Sequence, residues 1–554
     1  MRVRFYWHPY RYLPYEQELA VREIRTLLGR QPLHTGDCLS VESLNGWRSY
    51  AQRATYFREA IADDGSRVIP LQTMLEVSTK RDERPTLFDD ELQEHRFNAD
   101  AMPASVHPTL YRQSTRYSAH GLHEYRGKFN PQIVRAIGNM LGFYPGQWIL
   151  DPFGGSGTTL LEAAHMGWNA VSVDINPLGV QIARAKIAAM NVPVEDLLSH
   201  TKILSERLTK QFSHVSFDHA FTDNEIQSIG REKWQTYLPG FDYLSSWFTR
   251  SVLFQLATIL CEIDRIPSDK IQLICRVILS DIIRDVSLQE PGDLRIRRRK
   301  LPLENMPAIR LYLSNLTGKI ETIVKARRYI SGLATSQEAV LGDSRYCAST
   351  LKDHQGFNQL PLFDGAITSP PYATALPYID TQRLSLVLLG LIKPEEIRTL
   401  EKSLTGNREI TAQERKKLER AIETNDAHLP DECLQICYRL KNAIDMNNDG
   451  FRRQNVPALL YQYLVDMSQM FKNIHPLLKA DAPFALVVGK NQTTLGGQQF
   501  SIDTPHLLVL LAENNGFHLQ ETLELNTYQR YDIHQDNSIR SEILIVLRKV
   551  EHED

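Results

Sequence analysis

The stretch ILDPFGGSGTTLLEAAHMGWNAVSVDINP, residues 149–177, constrains the fold more than any other part of the chain. An apolar strand at Trp148-Ile149-Leu150 runs into Asp151 and a turn holding Gly154, Gly155 and Gly157. The spacing then predicts a helix over 156–166, a second strand over Ala170–Val173 closed by Asp174, and a helix over 177–190. Strands alternating with helices in this way build a parallel sheet, so the class is α/β.

Glycines let a backbone approach a ligand closely and adopt positive φ, and the free amides at a helix start can receive a carboxylate or phosphate. Nineteen residues past Gly155, Asp174 stands where an acidic side chain can accept hydrogen bonds from both ribose hydroxyls. Together they imply an adenosine-containing ligand. A phosphate-binding loop would place a lysine before the Ser/Thr, and Gly157-Thr158-Thr159 has none. A dinucleotide turn would carry a third glycine where Leu160 stands, and Asp151 would repel a pyrophosphate. A purely structural turn stays open on these residues alone.

The 554 residues allow two to four structural units, with hydrophobic and charged fractions of 42% and 23% that fit an ordinary globular chain. At a net charge of −3, nucleic-acid contact would need a local basic surface. Six cysteines at 38, 261, 275, 347, 433 and 437 lack paired CxxC spacing, so neither a metal nor a disulfide framework is expected. No signal-peptide pattern and no run near ~18 apolar residues is present, which leads to the expectation of a soluble cytoplasmic protein.

Composition and periodicity divide the chain into an N-terminal domain (1–105), a cofactor half (106–194), a helical insertion suited to target recognition (195–335), a catalytic half (336–392), a second helical insertion (393–455) and C-terminal strands (456–554). The N-terminal part holds an amphipathic helix in PYEQELAVREIRTLLG ended by Gly29, and a charged, proline-dotted linker is expected near 80–108. At the other end FALVVG, TPHLLVLLAENNG, GFHLQETLEL and SEILIVLRK read as strand, helix and a closing strand pair.

A second motif, Ile367-Thr368-Ser369-Pro370-Pro371-Tyr372, follows a short apolar strand. The pair of motifs resembles the DNA amino-methyltransferases, which join DPFxGSGTT to [DNS]PPY. The resemblance covers roughly 115–190 and 336–392 closely and the last hundred residues in outline; neither the N-terminal part nor the insertions are covered. It implies a Rossmann-like sheet dependent on S-adenosylmethionine (SAM), carrying helical insertions and a separate N-terminal domain. It also implies that Asp151, Pro152, Phe153, Gly155, Ser156, Gly157 and Thr158 form the methionine-side turn. Asp174 with Ile175 would take the ribose, and Asp343 would face the adenine amino group. In HEYRGKFNPQIVRAI, Tyr125, Lys128 and Phe129 look like the segment closing over the methionine end.

An exocyclic base amine is a poor nucleophile because its lone pair is delocalised into the ring. Ser369 and the carbonyl of Pro370 can accept its hydrogens, Pro371 stiffens the loop, and Tyr372 offers a face to an extruded base. Cytosine carbon-5 methylation would need a cysteine after proline, and here Pro-Pro-Tyr stands instead. Ser before Pro-Pro-Tyr favours the 4-amino group of cytosine over the 6-amino group of adenine by resemblance. Arg295, Arg297, Arg298, Arg299 and Lys300 are expected to neutralise DNA phosphates, although such a run is often only a solvated face. The rivals are a tRNA guanosine-N2 methylase, which usually shows Asp before Pro-Pro, and a non-catalytic SAM-binding subunit serving a restriction or defence partner.

Overall fold

The computed structural model describes the chain except residues 9–11, 43–44, 81–114, 126, 213–219, 230–232, 291–292, 294–295, 301–305, 331–334, 355, 357–358, 374–378, 527–540 and 551–554. Nearly all of the expected linker, and Arg295, lie outside the described residues.

Strands β1 (Arg2–Trp7), β2 (Leu33–Thr35), β3 (Cys38–Glu42), β4 (Phe57–Ala62) and β5 (Arg67–Val68) form an antiparallel sheet in the order β2-β3-β1-β4-β5. In RVRFYW the alternation sends Val3 and Phe5 into the core. Helix Pro14–Leu28 ends at Gly29 in the left-handed conformation and packs against helix Pro131–Met140. Between them, the buried Glu23 carboxylate accepts hydrogen bonds from the Thr55 amide and hydroxyl (2.9 and 2.8 Å) and from Asn139 (3.0 Å). The N-terminal sheet is thereby tied to the larger one, and one apolar cluster runs through both.

The larger sheet contains β6 (Trp148–Asp151), β7 (Asn169–Asp174), β8 (Gln337–Leu341), β9 (Gly365–Thr368) and β10 (Pro483–Gly489). After the separate hairpin of β11 (Asn491–Leu495) and β12 (Gln498–Ile502), it is completed by β13 (Phe517–Asn526) and β14 (Ser541–Lys549). The order is β13-β14-β10-β9-β6-β7-β8, and only β14 runs against its neighbours. Covered on both faces, its central strands are near-continuous apolar runs, and PFALVVG is buried at every position. From β6 the chain proceeds to β7 and β8 on one side, then returns to β9 and β10 on the other. The switch point between β6 and β9 is where an open α/β sheet leaves a crevice at its strand ends. This is a Rossmann-like sheet.

Both long interruptions of the sheet are helical. Helices Val194–Gln211, Arg250–Ile263, Asp269–Ile282 and Ala308–Arg327 lie between β7 and β8, and helices Ala412–Thr424, Asp431–Asn442 and Val456–Ile474 between β9 and β10. The helix expected from 156 starts at Thr158, because Gly157 is in the left-handed conformation that precedes the first turn. Among the described residues no helix is long and apolar enough to cross a membrane.

Candidate active site

The crevice is built from the carboxyl ends of β6, β7 and β9. Asp151 closes β6 fully inside the protein, where its carboxylate accepts hydrogen bonds from the Phe153 amide (3.1 Å) and the Thr368 hydroxyl (2.6 Å). Burial pushes its carboxyl up to about 6 despite these donors and Thr159. Pro152 is buried and Phe153 half-buried at the start of the turn.

Gly155 and Gly157 take φ of 48° and 75°. A Cβ on Gly157 would come within 2.6 Å of the Ala183 Cβ, so the turn lies directly on helix Pro177–Asn191. A Cβ on Gly155 would meet only the Tyr125 ring, at 3.5 Å, which leaves the backbone open on its outer side. Helix Thr158–Met166 follows, and the first amides of a helix have no preceding carbonyl to bond. Asp174 braces the turn: one carboxylate oxygen accepts from the Gly155 amide (2.7 Å) and the other from the Asn176 amide (2.8 Å). Burial raises its carboxyl above the usual range. Ile175 is half-buried beside it.

Asn176 was not legible as a site residue, yet it joins three segments. Its side-chain oxygen caps the helix at Leu178, and its amide donates to Gln382 (2.5 Å) and to the Tyr125 hydroxyl (3.3 Å). Tyr125 thus lies over the glycine turn, and Phe129 packs against the core. Lys128 instead donates to the carbonyls of Thr115 (2.9 Å) and His120 (3.3 Å), and burial together with Arg116 lowers its amine to about 7. The first insertion holds this segment: Asp281 accepts the Glu124 amide (2.6 Å) and the Lys319 ammonium (2.7 Å), while Lys319 also donates to Gly121 (2.9 Å).

Asp343 lies next to the end of β7, where the Gly342 amide donates to the Asp174 carbonyl at 2.9 Å. Its carboxylate is gripped by Arg345 through Nε (2.9 Å) and Nη2 (2.5 Å), and Arg345 also pairs with Asp466 at 3.1 Å.

The Ser369-Pro370-Pro371-Tyr372 loop leaves β9 directly beside Asp151, through Thr368. The Ser369 hydroxyl donates to the Val487 carbonyl (3.2 Å), and the Tyr372 hydroxyl donates to Glu542 on β14. Burial raises the Glu542 carboxyl. Asn491 on β11 donates to the Ala373 carbonyl, so three other strands fix this loop. Neither Glu542 nor Asn491 belongs to a sequence motif. All six cysteines are buried.

Behind the turn, Glu162 is fully buried among Arg135 (2.7 Å), His120 (2.7 Å), His165 (3.2 Å) and the Tyr117 hydroxyl (2.8 Å). Burial opposes its charge, but Arg135 and His165 hold it well below the ordinary range. His120, Glu162 and His165 have ligand spacing for a metal; Arg135 already supplies the positive charge there.

Of the basic run, Arg299 donates to the carbonyls of Asp285 (2.8 Å), Ser287 (3.1 Å) and Gln289 (3.0 Å), and Arg298 to that of Ser246 (2.7 Å). Arg297 pairs loosely with Asp293 at 3.6 Å, and Lys300 is exposed. These residues are part folding device, part open surface.

Sheet order, glycine turn and Pro-Pro-Tyr loop together define one crevice at the switch point of an open α/β sheet. The family model of UPF0020 (RMKL-like, methyltransferase domain) matches residues 122–214. The chain is similar to the Type II methyltransferase M.MjaII of Methanocaldococcus jannaschii, 25% identical over 342 residues that make up 50% of this chain and 63% of that protein. It is also similar to the Type II methyltransferase M.BsoBI of Geobacillus stearothermophilus, 23% identical over 74% of this chain and 80% of that protein. A shorter stretch of 52 residues is 42% identical to the tRNA (guanine(10)-N2)-dimethyltransferase of Methanothermobacter thermautotrophicus, covering 9% of this chain and 16% of that protein.

Proposed function

We propose that the protein transfers a methyl group from SAM to an exocyclic amine of a DNA base, with the 4-amino group of cytosine as the favoured acceptor. The observation that carries this reading is the hydrogen bond from Thr368 to Asp151, which sets the Ser369–Tyr372 loop directly beside the glycine turn. A donor turn and an acceptor loop must share one crevice for direct transfer. The similarity to Type II methyltransferases supports DNA as the substrate.

The residues present fit SAM. The outer face of Gly155 is open, the helix-start amides beyond it suit a carboxylate, and the carboxylates of Asp151 and Asp174 suit an ammonium and ribose hydroxyls. Bound there, SAM would supply an electrophilic methyl on a sulfonium. The Ser369 hydroxyl gives its own hydrogen to Val487, so its remaining lone pairs can only accept, which is what polarising an amine requires. The Pro370 carbonyl is the second acceptor. Tyr372, pinned through its hydroxyl to Glu542, presents its ring to a base turned out of the duplex. No thiol enters this chemistry, since the reacting amine is itself the nucleophile.

The test is to incubate unmodified duplex DNA with protein and SAM, digest it to nucleosides and identify the product by mass spectrometry. N4-methylcytosine is expected; N6-methyladenine alone would overturn the base and keep the reaction. The short 42% identical stretch shared with a tRNA methylase gives a second reading, and a tRNA transcript in the same assay decides it. Methylation confined to that transcript would overturn DNA as the substrate.

A further inference from the structure

Beneath the glycine turn lies a group that the reaction above does not use. Lys186, on helix Pro177–Asn191, is fully buried. Its amine donates to the carbonyl of Ser156 at 2.7 Å and to the hydroxyl of the same residue at 3.2 Å. Among the described residues no carboxylate compensates it; the charged neighbour that acts on it is Lys128, of the same sign. Burying an amine without a counter-charge is unfavourable, and burial holds this one well below its ordinary titration range. Leu or Met would fill such a helix position without that cost, so packing does not account for a lysine.

Its partner does account for it. A peptide unit is planar, so drawing the Ser156 carbonyl inward also fixes the Gly157 amide, which donates to the Gly154 carbonyl at 2.7 Å. The preceding amide, of Gly155, is fixed by Asp174 at 2.7 Å. Two peptide planes of the turn are therefore held from below and from the side, and the Ser156 amide lies between them. We propose that Lys186 is a positioning residue for the cofactor: it holds the Ser156–Gly157 peptide so that the Ser156 amide, between the two fixed planes, stays aimed at the carboxylate end of SAM. The proposal rests on the reading of the crevice as a SAM site.

The experiment compares wild type, Lys186→Met and Lys186→Gln by SAM calorimetry, thermal melting and steady-state methylation of duplex DNA. Lys186→Met should raise the dissociation constant and the KM for SAM by about tenfold, the scale of one or two lost hydrogen bonds. It should keep kcat at saturating SAM within about twofold and melt no earlier than wild type, because the amine it removes is costly to bury. Lys186→Gln, which retains an N–H donor on a shorter arm, should lie between the two. SAM affinity unchanged in a folded Lys186→Met would overturn the proposal. So would a parallel loss of melting temperature, kcat and affinity, or failure of both variants to fold, since the lysine would then serve the fold. A wild-type protein that binds no SAM would instead overturn the reading of the crevice, and this proposal with it.

Discussion

Thr368, the last residue of β9, donates its hydroxyl to Asp151, the last residue of β6, across the switch point of the sheet at 2.6 Å. Asp151 titrates near 6 because of its burial, against 3.8 ordinarily, so the folded chain holds a proton there that the unfolded chain has released. Its contribution to stability is thus present below about pH 4 and is lost as pH rises through about 6. Cofactor affinity should run the other way, since the ionised carboxylate is the form that attracts an ammonium. SAM binding followed by calorimetry should strengthen from about pH 5 to about pH 7, with Asp151→Asn flattening most of the change. Thr368→Val removes a donor to the ionised form, so the midpoint should move above the wild-type value.

Asp174 holds two backbone amides, of Gly155 and Asn176, and is the residue assigned to the ribose in the proposed SAM site. Asp174→Ala should weaken SAM binding by about 1–3 kcal/mol, the range for charge-assisted hydrogen bonds. Asp174→Asn keeps one acceptor oxygen and should cost less. If the folded Ala variant binds SAM as wild type does, Asp174 is not a cofactor ligand.

The glycine turn, Asp174 and the Pro-Pro-Tyr loop were legible because each depends on neighbours in sequence: a strand, a left-handed residue, a helix start. The strands around them were legible for the same reason, as unbroken apolar runs in a sheet covered on both faces. Lys186, Asn176, Gln382 and Glu542 were not, because each matters through a partner far along the chain. Glu542 meets Tyr372 from 170 positions away, and Gln382 meets Asn176 from 206. No periodicity encodes such a pairing. The β11–β12 hairpin could have been found, since LGGQ between NQTT and QFSI is a two-glycine hairpin turn. The β1 strand was not read from the sequence, because Arg2 and Arg4 at alternate positions mask the buried face that Val3 and Phe5 share.

Tyr372 combines a ring assigned to the target base with a hydroxyl held by Glu542, and two substitutions separate them. Tyr372→Ala should abolish most methyl transfer while SAM affinity stays near wild type. Tyr372→Phe keeps the ring and loses only its anchor, and should lower kcat by about tenfold, the scale of one hydrogen bond to a charged group. Collapse of SAM binding in either folded variant would place Tyr372 against the cofactor rather than the base.

Arg297 and Arg299, two positions apart in the same basic run, are expected to behave differently. Arg299 spends its guanidinium on three carbonyls at 2.8–3.1 Å, which closes the segment after helix Asp269–Ile282. Arg299→Ala leaves those carbonyls without their donor, and its main effect should be a lower melting temperature, on the order of 1–3 kcal/mol of stability. Arg297 is exposed and only loosely paired with Asp293 at 3.6 Å, and Lys300 is exposed. Both remain free to meet a phosphate. Replacing Arg297 and Lys300 by Ala should leave melting unchanged, weaken duplex binding and reduce the slope of log affinity against log salt by about 2 if both neutralise phosphates. An unaltered slope in that folded double variant would show that the run is a solvated face. The contact surface for DNA would then have to be sought on the second insertion, whose Lys416, Lys417 and Arg420 are exposed along one helix.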